Sequence, residues 1–321
     1  MFETFQLLPR PPERDSFAVD TAHADWCRVG RSHEGFPVLL LRFSSEKSTP
    51  ERRVLSLIEY RPPVEVNVVG GGSIRVAILE CKTNDAQLAA HFFRVAQTLI
   101  LDDPATQNEE IFTRALDRLI SLFRALQKPG SRSVQGVWAE LALIAGSASP
   151  QDAILAWHSN PHELYDFSNG SVRLEVKSTA KPFREHEFLL DQLGSSEPGM
   201  TLIASMLLKE DPDGDSIGDL VEAIRLLTLG APGVHDRVIG IVAESLGQGW
   251  RASESVRFNV EAARDALRVF LPEQIPTIPQ PLPIGVANVR FTAKLDGLSH
   301  LELSQAREMA ALYAALLPEP S

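Results

Sequence analysis

Residues 172–181 read VRLEVKSTAK and follow directly on LYDFSNGS at 164–171. Apolar Val172, Leu174 and Val176 alternate with Arg173, Glu175 and Lys177, the period of two that a half-buried strand requires. Asn169-Gly170 between two strand-like runs is a strong hairpin signal, because a tight type I′ turn needs positive φ at both central residues. With those two residues as the loop, Asp166 falls opposite Arg173 and Leu164 opposite Glu175. Asp166, Arg173, Glu175 and Lys177 then share one face, and Val172, Leu174 and Val176 face a core. Asp166 and Glu175 become diagonal neighbours, with backbones on the order of 7–8 Å apart.

Two carboxylates at that separation can hold one hard cation. Mg²⁺ takes oxygen ligands, commonly one or two carboxylates with water and substrate phosphate completing the shell. A neighbouring lysine can steady an attacking water or developing negative charge. A half-exposed strand whose Glu-x-Lys pair is merely solvated has the same pattern, so both readings follow from the strand alone.

The rest of the chain narrows the setting. With 321 residues, 44% hydrophobic and 23% charged, it has the composition of a globular protein with one large or two ordinary domains. No apolar run is long enough to span a bilayer. The opening MFETFQLLPRPPERD has no apolar signal core, and Cys27 and Cys81 form no CxxC motif. A cytoplasmic protein without disulfide framework or zinc site is expected. A net charge of −11 counts against general polyanion binding but leaves room for a local basic surface.

Strands are expected at 36–43 and across 64–81, with Gly70–Gly72 as the turn, then helices over about 85–101 and 108–126. QKPGSRS (127–133) marks a boundary between a strand-rich N-terminal domain, 1–130, and a second domain, 131–321. Ser133 can cap a helix from Val134 to about Ala145, buried through Val137, Trp138, Leu141 and Ile144. A helix is expected over 185–193 and a strand over 201–208. Helices follow at 217–230 and 234–247, a proline-rich connector at 272–285, and a final strand and helix. DPDGDS (211–216) reads as a turn, since it lacks the downstream glutamate of a calcium loop. GGGS (70–73) opens no helix and is not a phosphate loop. The mixture implies an α/β or α+β architecture.

VWAELALI (137–144), LYDF, RLEVKST, REHEFLLDQL (184–193) and SMLLKEDPDGDSIGDLVEAIR (205–225) together resemble the PD-(D/E)XK nuclease superfamily. Within it, the chain resembles the PD-(D/E)XK motif proteins of bacterial restriction and phage-defence loci. The resemblance spans about 134–230 and extends more weakly through ALRVFLPEQIP and VANVRFTAKLDG. It implies a restriction-endonuclease-like αβββαβ core and a Mg²⁺-dependent DNA endonuclease in which Mn²⁺ can substitute. Asp166, Glu175 and Glu140 would be metal ligands, Lys177 the general catalyst, and Gln192 a residue orienting Lys177 or the water. Lys181, Arg184 and His186, close behind the Glu-x-Lys strand at the site mouth, are candidate phosphate contacts. DNA is the implied partner, alongside a methyltransferase or ATPase of a defence system; a homodimer is a candidate assembly. Tyr165 stands where the superfamily's name has proline, a change that removes no chemical group. A non-cleaving DNA- or partner-binding subunit on the same fold is the alternative.

Overall fold

A computed structural model describes residues 1–14, 16–20, 26–43, 50–102, 104–158, 164–194, 199–231 and 233–319. The chain divides into two compact units, Met1–Gln127 and Lys128–Ser321, and has a mixed α/β architecture. No helix among the described residues is long and apolar enough to cross a membrane.

The first unit opens with a short helix, α1 (Phe2–Leu7), followed by strands β1 (Ser16–Val19), β2 (Cys27–Arg31), β3 (Pro37–Leu41), β4 (Arg53–Val54), β5 (Ile58–Val68) and β6 (Gly72–Cys81). Their order is β1-β2-β3-β6-β5-β4, and a parallel pairing of β1 with β5 closes five of them into a small barrel. Closure leaves few edges to protect. Alternation sorts the side chains: Phe17, Val38, Leu40, Val66, Val76 and Ile78 form one cluster, while Leu39, Leu79 and Tyr60 form a cross-strand row on the opposite face. The register of β5 slips between Arg61 and Val64, where Pro62 and Pro63 have no N–H to donate. Helices α2 (Ala86–Ala96) and α3 (Glu109–Ala125) follow, capped by Asp85 and Asn108; the ring of Phe112 on α3 lies 5.5 Å from Tyr60. The helix expected over 85–101 finishes as a π-helical turn from Gln97 to Leu101.

The second unit begins with α4 (Val134–Ala145), capped by Ser133, and α5 (Pro150–Ala156). Then come β7 (Phe167–Asn169), β8 (Val172–Thr179), β9 (Glu185–Leu189), α6 (Leu190–Leu193), β10 (Met200–Leu207) and β11 (Glu210–Asp215). After α7 (Ile217–Leu227), α8 (Val234–Leu246), α9 (Trp250–Ser253) and α10 (Val260–Asp265), β12 (Arg268–Phe270), β13 (Arg290–Lys294), α11 (Leu303–Met309) and α12 (Ala311–Leu316) complete it. A mixed sheet runs β12-β10-β8-β7, with β8 and β10 parallel over eight residues; β9 pairs with β13 in a separate ribbon.

Four local expectations change. The hairpin turn is Gly170-Ser171: Gly170 takes the positive φ of 61°, and Asn169 stays extended opposite Val172. The ladder therefore ends at Phe167 opposite Leu174, and its register leads Asp166 toward Glu175 instead of Arg173. Residues 185–189 form a strand, because His186 and Phe188 alternate inward on a period of two and β13 pairs with them. Residues 211–215 of DPDGDS lie on β11, whose ends Glu210 and Asp215 bridge to Phe258, and Ser216 caps α7. The last helix is two, broken at Ala310, which is extended at φ −160°.

Segment 128–132 leads into α4 and is tied to the end of α8. The Ser131 and Arg132 N–H groups both donate to the Ser245 carbonyl, and Gln248 N–H to the Lys128 carbonyl. A Cβ at Gly130 would sit 2.3 Å from the Leu246 carbonyl oxygen, and one at Gly247 2.3 Å from that of Lys128. Only glycines allow this approach of two backbones.

Candidate active site

Asp166 leads into β7. Its Oδ2 accepts the Val176 N–H at 2.8 Å across the hairpin, while its carbonyl accepts the His158 N–H at 2.9 Å. The side chain is thereby fixed against β8 just where Glu175 emerges. Glu175 and Lys177 lie on the face of β8 shared with Ile203 and Ser205, their partners on β10. Glu140 reaches the same place from α4.

All three carboxylates are buried: Glu140 is 2% exposed, Asp166 4% and Glu175 5%. Burying a charge is costly unless it is paired, and two networks do the pairing. In the first, Arg132 Nη1 lies 2.6 Å from both Glu140 Oε1 and Asp166 Oδ1. Glu140 Oε2 accepts from Trp157 Nε1 at 2.7 Å and lies 2.8 Å from His158 Nε2. In the second, Lys177 Nζ lies 2.7 Å from Glu175 Oε1 and donates to Gln192 Oε1 at 3.1 Å. Gln192 Nε2 donates to the same Glu175 oxygen at 2.6 Å and to the Leu164 carbonyl at 3.2 Å. The Leu189 N–H also donates to Gln192 Oε1, so both ends of the amide are used. Phe188 lies 5.2 Å from the Lys177 ammonium, ring centre to nitrogen, a cation–π distance.

The electrostatics follow from this wiring. Burial raises the Glu140 carboxyl, but His158, Arg132 and Trp157 outweigh it and hold the group below its ordinary range. Burial and then Glu140 raise Asp166 despite Arg132. Glu175 is pushed up to about 8 by burial and by Asp166, against Lys177 and Arg132. Glu175 Oε2 is buried and receives no hydrogen bond among the described residues. An oxygen left so is the kind of atom a cation would engage.

Glu140, His158 and Asp166 each offer a ligand atom within 4.8 Å of the others. Carboxylate oxygens with one imidazole are a donor set that a divalent metal ion can use. These three residues could hold a metal ion, and Glu175, next along β8 to the Val176 whose N–H bonds Asp166, keeps an unpaired oxygen.

The structure thus brings Asp166, Glu175, Lys177, Gln192 and Glu140 together. Gln192 sits as the third residue of α6, its amide turned back to the Leu189 N–H. Lys181 is exposed and pairs with Glu185 at 2.6 Å. Arg184 and His186 lie away from the mouth. Arg184 is buried and donates to the Ser205 carbonyl and hydroxyl and to the Ala266 carbonyl; His186 Nε2 is 2.8 Å from the same hydroxyl. The alternation that makes 185–189 a strand turns His186 inward, so neither side chain is presented to a phosphate.

Two participants, Arg132 and His158, have no signal in the sequence. Arg132 precedes Glu140 by eight residues, about 12 Å of helix, and only a long side chain folding back along α4 bridges that distance. His158 is placed by the pairing of Trp157 with Phe167 and by Arg237, which donates to the Trp157 and His158 carbonyls. It holds a positive φ of 41°, costly for a non-glycine residue and typical of residues over-determined by their surroundings.

No curated protein matches the chain, and no solved structure does. A family model does match, over residues 2–296, so that a helix-borne glutamate, an aspartate, a Glu-x-Lys strand and a glutamine meeting at one buried point are read within a single family: the chain belongs to DUF4420, described as "Putative PD-(D/E)XK family member".

Proposed function

We propose that the protein is a metal-dependent endodeoxyribonuclease serving a bacterial restriction or phage-defence system. The observation that carries this is the buried cluster of Glu140, His158 and Asp166, with Asp166 bonded to the Val176 N–H between Glu175, which keeps an unpaired oxygen, and Lys177. Membership of the family and the succession α4, β7, β8, β9, α6, β10 support a restriction-endonuclease-like αβββαβ core, with α5 inserted. Asp166, Glu175 and Glu140 would hold Mg²⁺ or Mn²⁺, with His158 as a further donor. Such an ion lowers the pKa of bound water and offsets phosphate charge.

The chain's own groups supply the rest. Lys177, steered by Gln192, Glu175 and Phe188, steadies the water or the charge growing on the phosphate. Gln192 keeps Lys177 and Glu175 in fixed relation. Lys181, exposed on its pair with Glu185, would reach the DNA backbone outside the site by giving up that partner.

Purified protein, alone or with operon partners such as a methyltransferase or ATPase, should cut DNA with Mg²⁺ or Mn²⁺ and stop with EDTA. Lys177→Ala should lower cutting by about 10²–10³-fold or more while Mn²⁺ binding persists; Asp166→Asn should lose both. Cutting that survives Lys177→Ala would overturn the enzyme reading. The near-complete burial of the three carboxylates favours one second reading, a DNA- or partner-binding subunit that does not cleave.

A further inference from the structure

We propose that Arg132 is the resident counter-ion of this site. Its guanidinium holds the place between Glu140 and Asp166 that a divalent cation would take, and passes to a phosphate of the nucleic acid when cation and DNA are bound together. The inference rests on the metal reading above and adds to it how the site is kept closed.

The geometry is that of a stand-in ion. A single nitrogen, Nη1, is 2.6 Å from an oxygen of each of two carboxylates carried on different elements, Glu140 on α4 and Asp166 at the start of β7. Both carboxylates are more than nine-tenths buried, whereas the Arg132 side chain is 31% exposed. Its way out therefore leads to solvent. A guanidinium does not lose its proton in a protein, so Arg132 can make room only by moving. Arg132 in place together with a divalent ion would put two cations side by side between the same carboxylates, a repulsive arrangement in low dielectric.

Moved outward, Arg132 has left its two anions and needs another. Phosphodiester oxygens are what a planar guanidinium recognises best, by paired hydrogen bonds. The same backbone that keeps Arg132 beside the carboxylates then keeps it at the rim, where DNA would arrive. Metal and DNA binding become linked through one side chain: each removes a cost the other would otherwise meet.

The test is a Mn²⁺ titration followed by the EPR signal of free Mn²⁺, in a Lys177→Met background that keeps DNA intact. Without DNA, Arg132→Gln should bind Mn²⁺ at least tenfold more tightly than the parent. A short duplex should tighten Mn²⁺ binding in the parent about tenfold more than it does in Arg132→Gln, where only the phosphate's own contact with the ion remains. Arg132→Lys, which retains the charge on a shorter reach, should fall between them and serves if the glutamine variant folds poorly by circular dichroism. Equal Mn²⁺ affinity in parent and Arg132 variants, with binding still abolished by Asp166→Asn, would overturn the counter-ion and leave the metal reading standing. Binding that is weak throughout and indifferent to Asp166→Asn would overturn both.

Discussion

The two units bury glutamates in sheets in the same way but share out the cations that meet them differently. In the barrel, Glu59 is met by Lys82 at 2.7 Å and Arg52 at 2.5 Å, and Glu80 by Arg61 at 3.6 Å. Among the described residues Arg52, Arg61 and Lys82 supply these ion pairs, each from a partly solvated position. In the second unit three carboxylates share Arg132 and Lys177, with a histidine whose charge depends on its proton. In the barrel Glu59 is held below its ordinary range, although Glu80, with Arg61 at 3.6 Å, is still raised by burial; in the second site three carboxylates share two permanent cations. A buried carboxylate is therefore no indicator of function by itself; three of them sharing too few cations are a stronger one.

The sharpest way to break this contrast is stability. Glu175 titrates at about 8 in the fold against an ordinary 4.5. Below pH 4.5 it is protonated folded or unfolded and contributes no penalty. As pH rises to 8 the unfolded chain gives up the proton first, and metal-free stability falls, by on the order of 4–5 kcal/mol. Glu175→Gln should flatten that slope and raise Tm at pH 9. Glu59 has the opposite sign. Burial raises it, but hydrogen bonds from Lys82 and Arg52 prevail and hold it below its ordinary range. Its contribution is present above that range and is lost on acidification, so Glu59→Gln should cost about 1 kcal/mol at pH 7. Thermal unfolding across pH checks both; equal signs would erase the distinction.

A smaller effect treats the units alike. Burial, then Arg94, pushes His91 down to about 4; burial, then Lys177 and Arg184, does the same to His186. Each stays neutral in the fold while the unfolded chain takes up a proton near 6.5. Stability is thus whole above pH 6.5 and drains away as pH falls toward 4, by on the order of 2–3 kcal/mol per histidine. Hydrogen exchange should show His91→Gln relieving the loss in α2 and His186→Gln relieving it in β9. Relief at only one site would show that the other is protonated in place.

The smallest expected effect is none. Cys27 and Cys81 are fully buried, burial pushing the Cys27 thiol up to about 12 and the Cys81 thiol higher still. Neither should react with a thiol reagent until the barrel opens, and Mn²⁺ should not alter that rate. A labelling rate that responds to Mn²⁺ would mean that the barrel senses the second unit's site.

Much of this was legible in residue order. Alternation along 172–177 revealed β8, and Ser133 with the apolar stripe of 137–144 revealed α4, since both signals are local. The sequence alone places the turn one residue early, because Asn169 and Gly170 both tolerate positive φ and only the ladder shows that Gly170 uses it. Residues 185–193 carry enough helix formers to pass for a helix; the partner that makes them a strand lies a hundred residues away on β13. Arg132 and His158 escaped for a related reason. Their role is to neutralise charges brought together by the fold, and neutrality is a property of the assembled site.

The anchoring of segment 128–132 has a consequence for time. Ser245 holds the N–H groups of Ser131 and Arg132, and Gly130 and Gly247 are each pressed against the opposing backbone, so this part of the chain has no slack. Arg132 can leave its carboxylates only by turning about its own side-chain bonds. Such turns are far quicker than the microsecond-to-millisecond excursions of a lid, and the delay is that of parting two short ion pairs. On the exchange proposed for Arg132, the site would open at the pace of a rotamer change, and arrival of DNA, rather than any rearrangement of the fold, would set when it does so.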